Sequence, residues 1–538
     1  MGLLAATYVP RQPSETVLHK LVREHLDDFL RHARENYAGP LPKYVERELQ
    51  GYLACGDFAH GFAHVRCRDC DHELLVAFSC KNRGVCPSCA GRRMANTAAH
   101  LVDRVLPSVP VRQFVLSFPY ELSGLAATRP DVLAVLCRIF GEAIALHYRT
   151  WAKSAGFAAS RTGAVTFVHR FGSSLNLHAH FHVVVLDGVY VERGSRLAFF
   201  ASPAPTREAL EALVQRVVGR TMKWLRRRGY VRADLDASES NESKPLSPLE
   251  ALAMLAMQRG TLETVRDSDQ DTDDDDASAR GKSSHVVTHL RFNLHAGVTI
   301  AAHDDVGRER LCRYGARPPF SLARLRVLKN GNVSYLVKKV GRGRAKRRVM
   351  EPVEFLARLA ALIAPPRFPL VRFAGVLAPR SNWRPRVVPK PPAGTCEPAP
   401  RAPRSRLAPC ATPERGEGGG ALRARPSDLV PTTEQAPNAV MLPTVFAHTL
   451  AAKSDALEIL TPHLLSVAHW ARLADGELYA ARPRVDWASL LRRTFAFDVR
   501  TCPNCAGHLQ VRAVVTAPQS VAKILESFAR PRAPPRAA

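Results

Sequence analysis

The sequence predicts an α+β fold, in which helices cover a central sheet, and three observations support this class. Apolar residues recur at helical spacing in long segments at 15–53, 129–154 and 206–228. Other segments alternate or run apolar as β-strands do, at 111–116, 165–170, 176–188 and 290–300. Finally, the order strand, helix, strand, strand in residues 111–188 is typical of one mixed domain rather than of separate all-α and all-β parts.

Composition and charge favour a nucleic-acid partner. The chain has 538 residues, with 76 Lys and Arg against 49 Asp and Glu, for a net charge of +27. Clusters at Lys223–Arg228 and Arg342–Arg348 would attract phosphates by counterion release, although a solvated basic surface is the alternative. The sequence contains neither an apolar run long enough to cross a membrane nor a secretory signal. We therefore expect no membrane partner and a reducing, cytoplasmic location near the nucleoid.

The N-terminal helical segment, broken at Gly39-Pro40, leads into a cysteine-rich block. Two Cys-x-x-Cys pairs with fifteen residues between them match a four-thiolate zinc ribbon. The predicted Zn²⁺ ligands are Cys67, Cys70, Cys86 and Cys89. Cys80, His60, His64 or His72 could replace one ligand, and the alternative is a set of free buried thiols. Three arginines next to the second pair are candidates for DNA phosphate contacts: Arg83, Arg92 and Arg93.

The segment Asn176–Gly188, NLHAHFHVVVLDG, is the most informative part of the chain. Its alternation predicts a strand with His178, His180 and His182 on one face. Imidazoles in register on one strand are suited to a divalent metal ion. The alternative is a polar strand face or histidines packed near a core. A third metal ligand stays open between His178 and the more distant His295.

Residues 304–315, DDVGRERLCRYG, predict a short helix with Tyr314 in its last turn. A phenol is a weak nucleophile, so attack on a phosphodiester needs metal polarisation and nearby positive charge. Arg313 and Arg317 could supply that charge at the DNA. By position alone, a packing role is the favoured interpretation of Tyr314.

Two segments differ from the rest in composition. Residues 233–285 are acidic, with a short helix expected near 248–259 and a dense acid run at 269–276 that could mimic DNA. Residues 377–440 are rich in Pro and Arg, which predicts a linker in which Cys396 and Cys410 are incidental.

Residues 441–538 are predicted to be ordered again, and Cys502-x-x-Cys505 there is half of a possible second zinc site. His508 could be a third ligand, and a redox pair or an inert loop is the alternative.

Several stretches together resemble the rolling-circle (HUH-type) transposases of the insertion-sequence ninety-one family. The resemblance covers most of residues 20–375 and rests on these stretches: LPKYVERELQGYLACG, FSCKNRGVCPSCAGRRM, NLHAHFHVVVLDGVY, NLHAGV, LCRYGARPP and EFLARLAALIAPPRFPLVRFAGVLAP. It implies that His180 and His182 bind a catalytic Mg²⁺ or Mn²⁺, with His178 as the preceding family histidine, and that Tyr314 is the nucleophile. Arg310 stands where two-tyrosine members carry a second tyrosine, so the chain resembles the single-tyrosine branch.

The resemblance also implies an organisation and an activity. The expected core is an HUH-endonuclease-like antiparallel sheet at 106–232 and 286–376, after a helical and zinc-binding DNA-recognition domain at 1–105 and before a C-terminal module at 441–538. The expected activity is cleavage and rejoining of single-stranded DNA at element ends through a 5′-phosphotyrosine. The alternatives are a plasmid replication initiator or relaxase with the same chemistry, and an inactive DNA-binding copy. The oligomeric state is left open.

Overall fold

A computed structural model describes residues 12–231, 247–258, 262–264, 285–337, 346–390, 487–495 and 499–529. Helices and strands occur in mixed order along these ranges, and every strand pair described is antiparallel. The expected mixed class with antiparallel sheets is therefore confirmed. The acid run at 269–276 and most of the predicted linker, with Cys396 and Cys410, lie outside the described residues.

A six-stranded sheet forms the centre of the molecule. Its strands are β3 (Val111–Ser117), β5 (Gly163–Phe171), β6 (Leu177–Leu186), β10 (Val286–His289), β11 (Phe292–Ile300) and β15 (Val371–Gly375). They lie in the order β10-β11-β3-β6-β5-β15, so the histidine strand β6 is flanked by β3 and β5. A position near the middle of the sheet buries β6 on both faces, which explains its run of four apolar residues after His182.

Helices cover both faces of this sheet. One face packs against α4 (Tyr120–Thr128), α5 (Pro130–Ser154) and α6 (Arg207–Arg227), with Phe181, Val183 and Val185 pointing into that core. The opposite face, which carries Val184 and Leu186, packs against α3 (Pro87–Arg104) and α8 (Asp305–Gly315). Because residues alternate between faces, the histidines of β6 lie on the side of α3 and α8.

Local signals set the ends of the helices. Thr16 accepts a hydrogen bond from the His19 N–H and begins α1 (Val17–Asn36), and Thr206 caps α6 in the same way. Ser247 and Glu250 form a capping box at the start of α7 (Pro248–Met257), as expected for the short helix there. The Asp304 side chain accepts from the Gly307 N–H and begins α8.

The remaining elements form smaller layers around the central sheet. α1 and α2 (Lys43–Leu53) share a core with α9 (Pro352–Leu362), and α10 spans Arg384–Val387. One sheet joins β4 (Ser160–Arg161), β7 (Gly188–Arg193) and β8 (Arg196–Ala201), and another joins β9 (Leu262–Thr264), β12 (Leu325–Val327), β13 (Val333–Val337) and β14 (Lys346–Met350). In the described ranges, no helix has the length and apolar character required to cross a bilayer.

The C-terminal segment packs on the N-terminal part of the chain. β16 (Leu509–Val515) pairs with β1 (Phe62–Cys67), which pairs with β2 (Glu73–Ala77). The helices α11 (Trp487–Phe495) and α12 (Pro518–Ala529) lie on either side of β16 in the sequence. The two ends of the chain thus form one three-stranded sheet.

Candidate metal centres and catalytic tyrosine

Three buried histidines meet at the centre of the main sheet. His180 and His182 lie two residues apart on β6, and His169 lies directly opposite His180 on β5. One ring nitrogen from each lies within 4.8 Å of the corresponding nitrogens of the other two. Strand register produces this cluster, because paired residues on neighbouring antiparallel strands share a face.

Hydrogen bonds at the outer nitrogens orient these rings. His169 Nε2 donates to the Gly315 carbonyl at 2.6 Å, and His180 Nδ1 donates to the His178 carbonyl at 3.0 Å. The Gln113 amide nitrogen lies 3.1 Å from His182 Nδ1 and donates a hydrogen bond to it. His169 Nδ1 and His182 Nε2 are buried and have no hydrogen-bond partner among the described residues. Bare, converging nitrogens backed by outer hydrogen bonds are the arrangement that a metal ion requires.

Burial keeps this cluster uncharged. Desolvation lowers the pKa of His169, His180 and His182 well below the usual range, and the neighbouring imidazoles and Arg317 lower it further. The three imidazoles are therefore neutral at pH 7, which leaves their lone pairs available to a cation.

Tyr314 lies beside the histidines at the C-terminal end of α8. Its ring centroid is 5.3 Å from that of His182, in an edge-to-face arrangement. The preceding turns of α8 pack against α3, and the next residue, Gly315, lies so close to Phe167 that a Cβ there would be 2.5 Å from the ring. Glycine at position 315 therefore lets the helix approach β5 closely enough for His169 to bond its last carbonyl.

Arg317 brings positive charge to the same place. Its guanidinium carbon lies 4.7 Å from the Tyr314 ring centroid and 5.4 Å from that of Phe171. No carboxylate among the described residues pairs with it. A half-buried guanidinium stacked between two rings next to a phenol is suited to holding a phosphate.

Sequence reasoning found part of this site. His180, His182, Tyr314 and Arg317 come together as expected. His178 lies beside His180, with ring centroids 5.1 Å apart, but His169 takes the third place in the cluster. His169 was missed because it is a lone histidine in an apolar strand, and only pairing between β5 and β6 reveals its position.

A second candidate metal centre, which we call the N-terminal thiolate cluster, consists of Cys55, Cys80, Cys86 and Cys89. The Cys86 and Cys89 sulfurs lie 3.4 and 3.8 Å from Cys55 Sγ, and Cys80 Sγ lies 3.5 Å from Cys89 Sγ. Regular zinc–sulfur bonds of about 2.3 Å in a tetrahedron place sulfurs about 3.8 Å apart. The donor set therefore fits a structural zinc ion.

The predicted ligand set of one zinc ribbon is wrong in its grouping. Cys67 and Cys70 do not join Cys86 and Cys89, because β1 and β2 carry the first pair away from the start of α3. They lie instead against Cys502 and Cys505, in what we call the shared thiolate cluster. The candidate His508 is not part of this cluster; its carbonyl accepts from the Arg68 N–H.

The arginines predicted to contact DNA have different surroundings. Arg313 is wrong for that role, because its side chain is 2% exposed and donates to Glu309 at 2.6 Å. Arg83 is half-buried and donates to the Phe368 carbonyl, whereas Arg93 is exposed and donates to the Lys81 carbonyl at 3.1 Å. Arg92 is half-buried on α3. Of the five, Arg93 has the exposed side chain, and the Arg317 guanidinium lies over the Tyr314 ring.

Comparisons with known proteins find transposase sequences that are similar to this chain. A family model described as "Transposase zinc-binding domain" (Zn_Tnp_IS91) matches residues 21–118, and one described as "Putative transposase" (Y2_Tnp) matches residues 163–384. The curated "Transposase for insertion sequence element IS801" of Pseudomonas savastanoi pv. phaseolicola is 29% identical over 144 residues, which are 26% of this chain. The matched segment spans 33% of that relative's length. No solved structure matches the chain.

Proposed function

The chain belongs to the transposase family with the IS91-type zinc-binding domain, and on that premise we propose that it nicks and rejoins single-stranded DNA through Tyr314. The observation that carries the proposal is the position of the Tyr314 ring, 5.3 Å from His182 in the three-histidine cluster. A phenol, a metal-binding set of imidazoles and the cation Arg317 meet at one point. These are the groups that phosphodiester transfer to tyrosine requires.

The strand order supports an HUH-type nuclease core. We propose that residues 106–232 and 286–376 form this core, with 1–105 as the DNA-recognition domain and 441–538 as the C-terminal module. In the core, the histidine strand β6 lies near the middle of an antiparallel sheet. The helix α8, which carries Tyr314 and which we call the tyrosine helix, packs on the face that carries the histidines. The nucleophile and the metal ligands are thereby set on rigid elements rather than on loops.

The three imidazoles would hold the catalytic divalent ion. When bound there, the ion would polarise the scissile phosphate and neutralise developing charge. All three donors are nitrogen, which suits Mn²⁺ better than Mg²⁺, an ion that prefers oxygen ligands. His169, found through strand pairing, is the third ligand in this proposal, in place of His178.

In the proposed reaction, Tyr314 Oη attacks the phosphorus of a DNA phosphodiester. The new bond joins the tyrosine oxygen to the 5′-phosphate, and the bond from phosphorus to the 3′-oxygen breaks. The phenol loses its proton to solvent, and the departing 3′-oxygen gains one. Arg317 stabilises the negative phosphate, and rejoining reverses the step without ATP, because the phosphotyrosine conserves the bond energy.

Single-stranded DNA from the ends that flank the coding region tests this proposal. With Mn²⁺, mass spectrometry should find a nucleotide adduct on Tyr314, and Tyr314→Phe should lose the adduct and cleavage while DNA binding is retained. Tyr37→Phe, a half-buried tyrosine in the N-terminal helical region, is the matched control and should cleave like the wild type. Cleavage at the wild-type rate by Tyr314→Phe would exclude Tyr314 as the nucleophile.

A further inference from the structure

We propose that a second structural zinc ion binds Cys67, Cys70, Cys502 and Cys505 and clamps the C-terminal segment onto the N-terminal region. The four cysteines lie at the two ends of the chain, and the family model for the zinc-binding domain covers the first two alone. Cys67 Sγ lies 3.5 Å from Cys505 Sγ, and Cys70 Sγ lies 3.5 Å from Cys502 Sγ. All four sulfurs lie within 4.8 Å of one another and none is in a disulfide.

The spacing of these sulfurs fits tetrahedral zinc. A closed Cys₄ set with sulfurs about 3.8 Å apart is the arrangement of structural zinc sites, which leave no open position for catalysis. Free thiols alone have no reason to converge in this way, since an S–H group is a weak donor and a weak acceptor.

The backbone supplies a second observation. In each half of the cluster, the residue after the second cysteine has a positive φ: Asp71 at 58° and Ala506 at 58°. In the C-terminal half this turns the Gly507 N–H toward Cys505 Sγ, at 3.4 Å. The N-terminal thiolate cluster repeats the arrangement, with Lys81 at 55° and the Asn82 N–H donating to Cys80 Sγ at 3.4 Å. Left-handed backbone at non-glycine residues is uncommon, and here it aims N–H donors at sulfurs that a metal would hold as thiolates.

The two halves are also shaped to meet. Cys67 N–H donates to the His72 carbonyl and Cys502 N–H to the Gly507 carbonyl, both at 2.8 Å, so each half is the same kind of turn. A Cβ on Gly507 would lie 1.9 Å from a carboxylate oxygen of Asp69 in the opposing turn. The glycine therefore allows a contact between turns that are more than 400 residues apart in the sequence.

The apolar contacts that hold the C-terminal segment in place are divided among small clusters rather than gathered in one core. Its strand β16 lies at the edge of the sheet, and Val511 and Val514 there are 56% and 41% exposed. Its buried apolar residues are divided among three small clusters: Leu491, Cys502 and Leu509 with β1 and β2, Leu490 with α3, and Val515 and Val521 with Phe62 and Leu75. Small segments with cores of this size depend on metal binding for their folding energy.

The clamp has a consequence for the tyrosine helix. Arg493 on α11 is buried and forms ion pairs with Asp103 on α3 and with Glu309 on α8, the latter at 2.9 Å. Glu309 also accepts from Arg313 at 2.6 Å, one residue before Tyr314. When the shared thiolate cluster holds the C-terminal segment, Arg493 thus links α8 to α3 through Glu309 and Asp103. Arg493 acts here as a positioning residue.

Cobalt substitution tests the shared site in the full-length protein without any cleavage assay. Co²⁺ bound to thiolates gives a charge-transfer absorption that histidine-bound Co²⁺ does not, so the signal counts the thiolate sites alone. We expect two such ions per chain in the wild type. Cys70→Ser and Cys505→Ser should each lose half of the signal, and the double variant should lose no more than either one, because both cysteines hold the same ion.

Two further variants complete the experiment. Cys89→Ser should lose the other half of the signal, and Cys137→Ser, whose cysteine belongs to neither cluster, should lose none. In Cys505→Ser, amide exchange should rise in β16 and α11 but not in β3, which shows that the rest of the fold is intact. An unchanged cobalt signal in Cys505→Ser, or a loss in Cys70→Ser that Cys505→Ser does not share, would overturn the proposal.

Discussion

Gly315→Ala is the sharpest perturbation of the tyrosine helix that the structure offers. The added methyl carbon would lie 2.5 Å from Phe167 Cδ2, whereas ordinary contacts of this kind start at 3.4 Å. Phe167 is 1% exposed and lies on β5 between β6 and β15, so its ring has little space into which to move. The helix must therefore shift outward by about 1 Å to restore van der Waals separation.

That shift has two measurable costs. Overpacking of a buried contact lowers the free energy of unfolding by about 1–3 kcal/mol, although alanine is otherwise favoured over glycine in a helix. It also stretches the 2.6 Å hydrogen bond from His169 to the Gly315 carbonyl and moves Tyr314 relative to the cluster. A misplacement of about 1 Å can lower the rate of a positioned reaction roughly 100-fold.

Urea denaturation and single-turnover cleavage of single-stranded DNA measure these costs. Gly219→Ala on α6 is the matched control, because a Cβ there meets nothing within 4 Å, and it should leave cleavage unchanged. Adding Phe167→Leu to Gly315→Ala should recover part of the lost rate by making room for the methyl group. If Gly315→Ala matches the wild type in stability and cleavage, the close approach of α8 to β5 does not position the tyrosine.

Three further predictions concern the charged and metal-binding groups. His169→Ala should weaken Mn²⁺ binding at least tenfold in calorimetry, and affinity equal to that of the wild type would exclude His169 as a ligand. Burial lowers the pKa values of His169, His180 and His182. The free energy of unfolding of the metal-free protein should therefore stay constant above about pH 6.5 and fall at lower pH, because the unfolded chain takes up protons that the folded chain does not. Urea midpoints across pH 5–8 check this, and a decline as pH rises through this range would contradict it. Arg493→Gln should cost about 3–5 kcal/mol at pH 7, since it leaves Asp103 and Glu309 buried without their partner. Burial alone would raise the pKa of Glu309, but Arg493 and Arg313 hold it below the usual range, so the stability it contributes is present above about pH 4.3 and lost at lower pH. The deficit of the variant should therefore shrink in urea titrations at acidic pH.

Local patterns were enough to predict the elements that carry the histidines and Tyr314. The alternation in residues 176–188 predicted β6, and the segment 304–315, with Tyr314 in its last turn, predicted α8, which spans Asp305–Gly315. Both patterns are periodicities within one element, and periodicity is what a sequence displays directly. The short helix expected near residue 248 also formed, because a capping box fixes its first turn.

Positions that depend on pairing between distant strands could not be predicted in the same way. His169 joins His180 because β5 and β6 pair in one register, and a shift of one residue would turn His169 to the other face. Arg313 was expected at the DNA because it precedes Tyr314, yet the helix turns it toward Glu309 and into the protein. Adjacent residues on a helix point about 100° apart, so a neighbour of a catalytic residue is often directed elsewhere.

The grouping of the cysteines into two clusters could not be predicted from local patterns either. Spacing identifies Cys-x-x-Cys pairs reliably, because the turn that brings two thiolates together is local. It does not identify which two pairs share an ion, because that depends on where the strands after each pair lead. Here β1 meets β16, so the pair at residue 67 finds its complement at residue 502, while Cys86 and Cys89 are completed by Cys55 and Cys80.

The tyrosine helix connects these separate regions of the chain. Its last carbonyl accepts a hydrogen bond from His169 of the three-histidine cluster, and its buried Glu309 accepts one from Arg493 of the C-terminal segment. Both contacts act on an element of 11 residues, whose own hydrogen bonds could not hold a phenol in position against a phosphate. Removing the C-terminal segment should therefore disturb Tyr314 even though no residue of that segment lies in the histidine cluster, and amide exchange in α8 is the measurement that would show it.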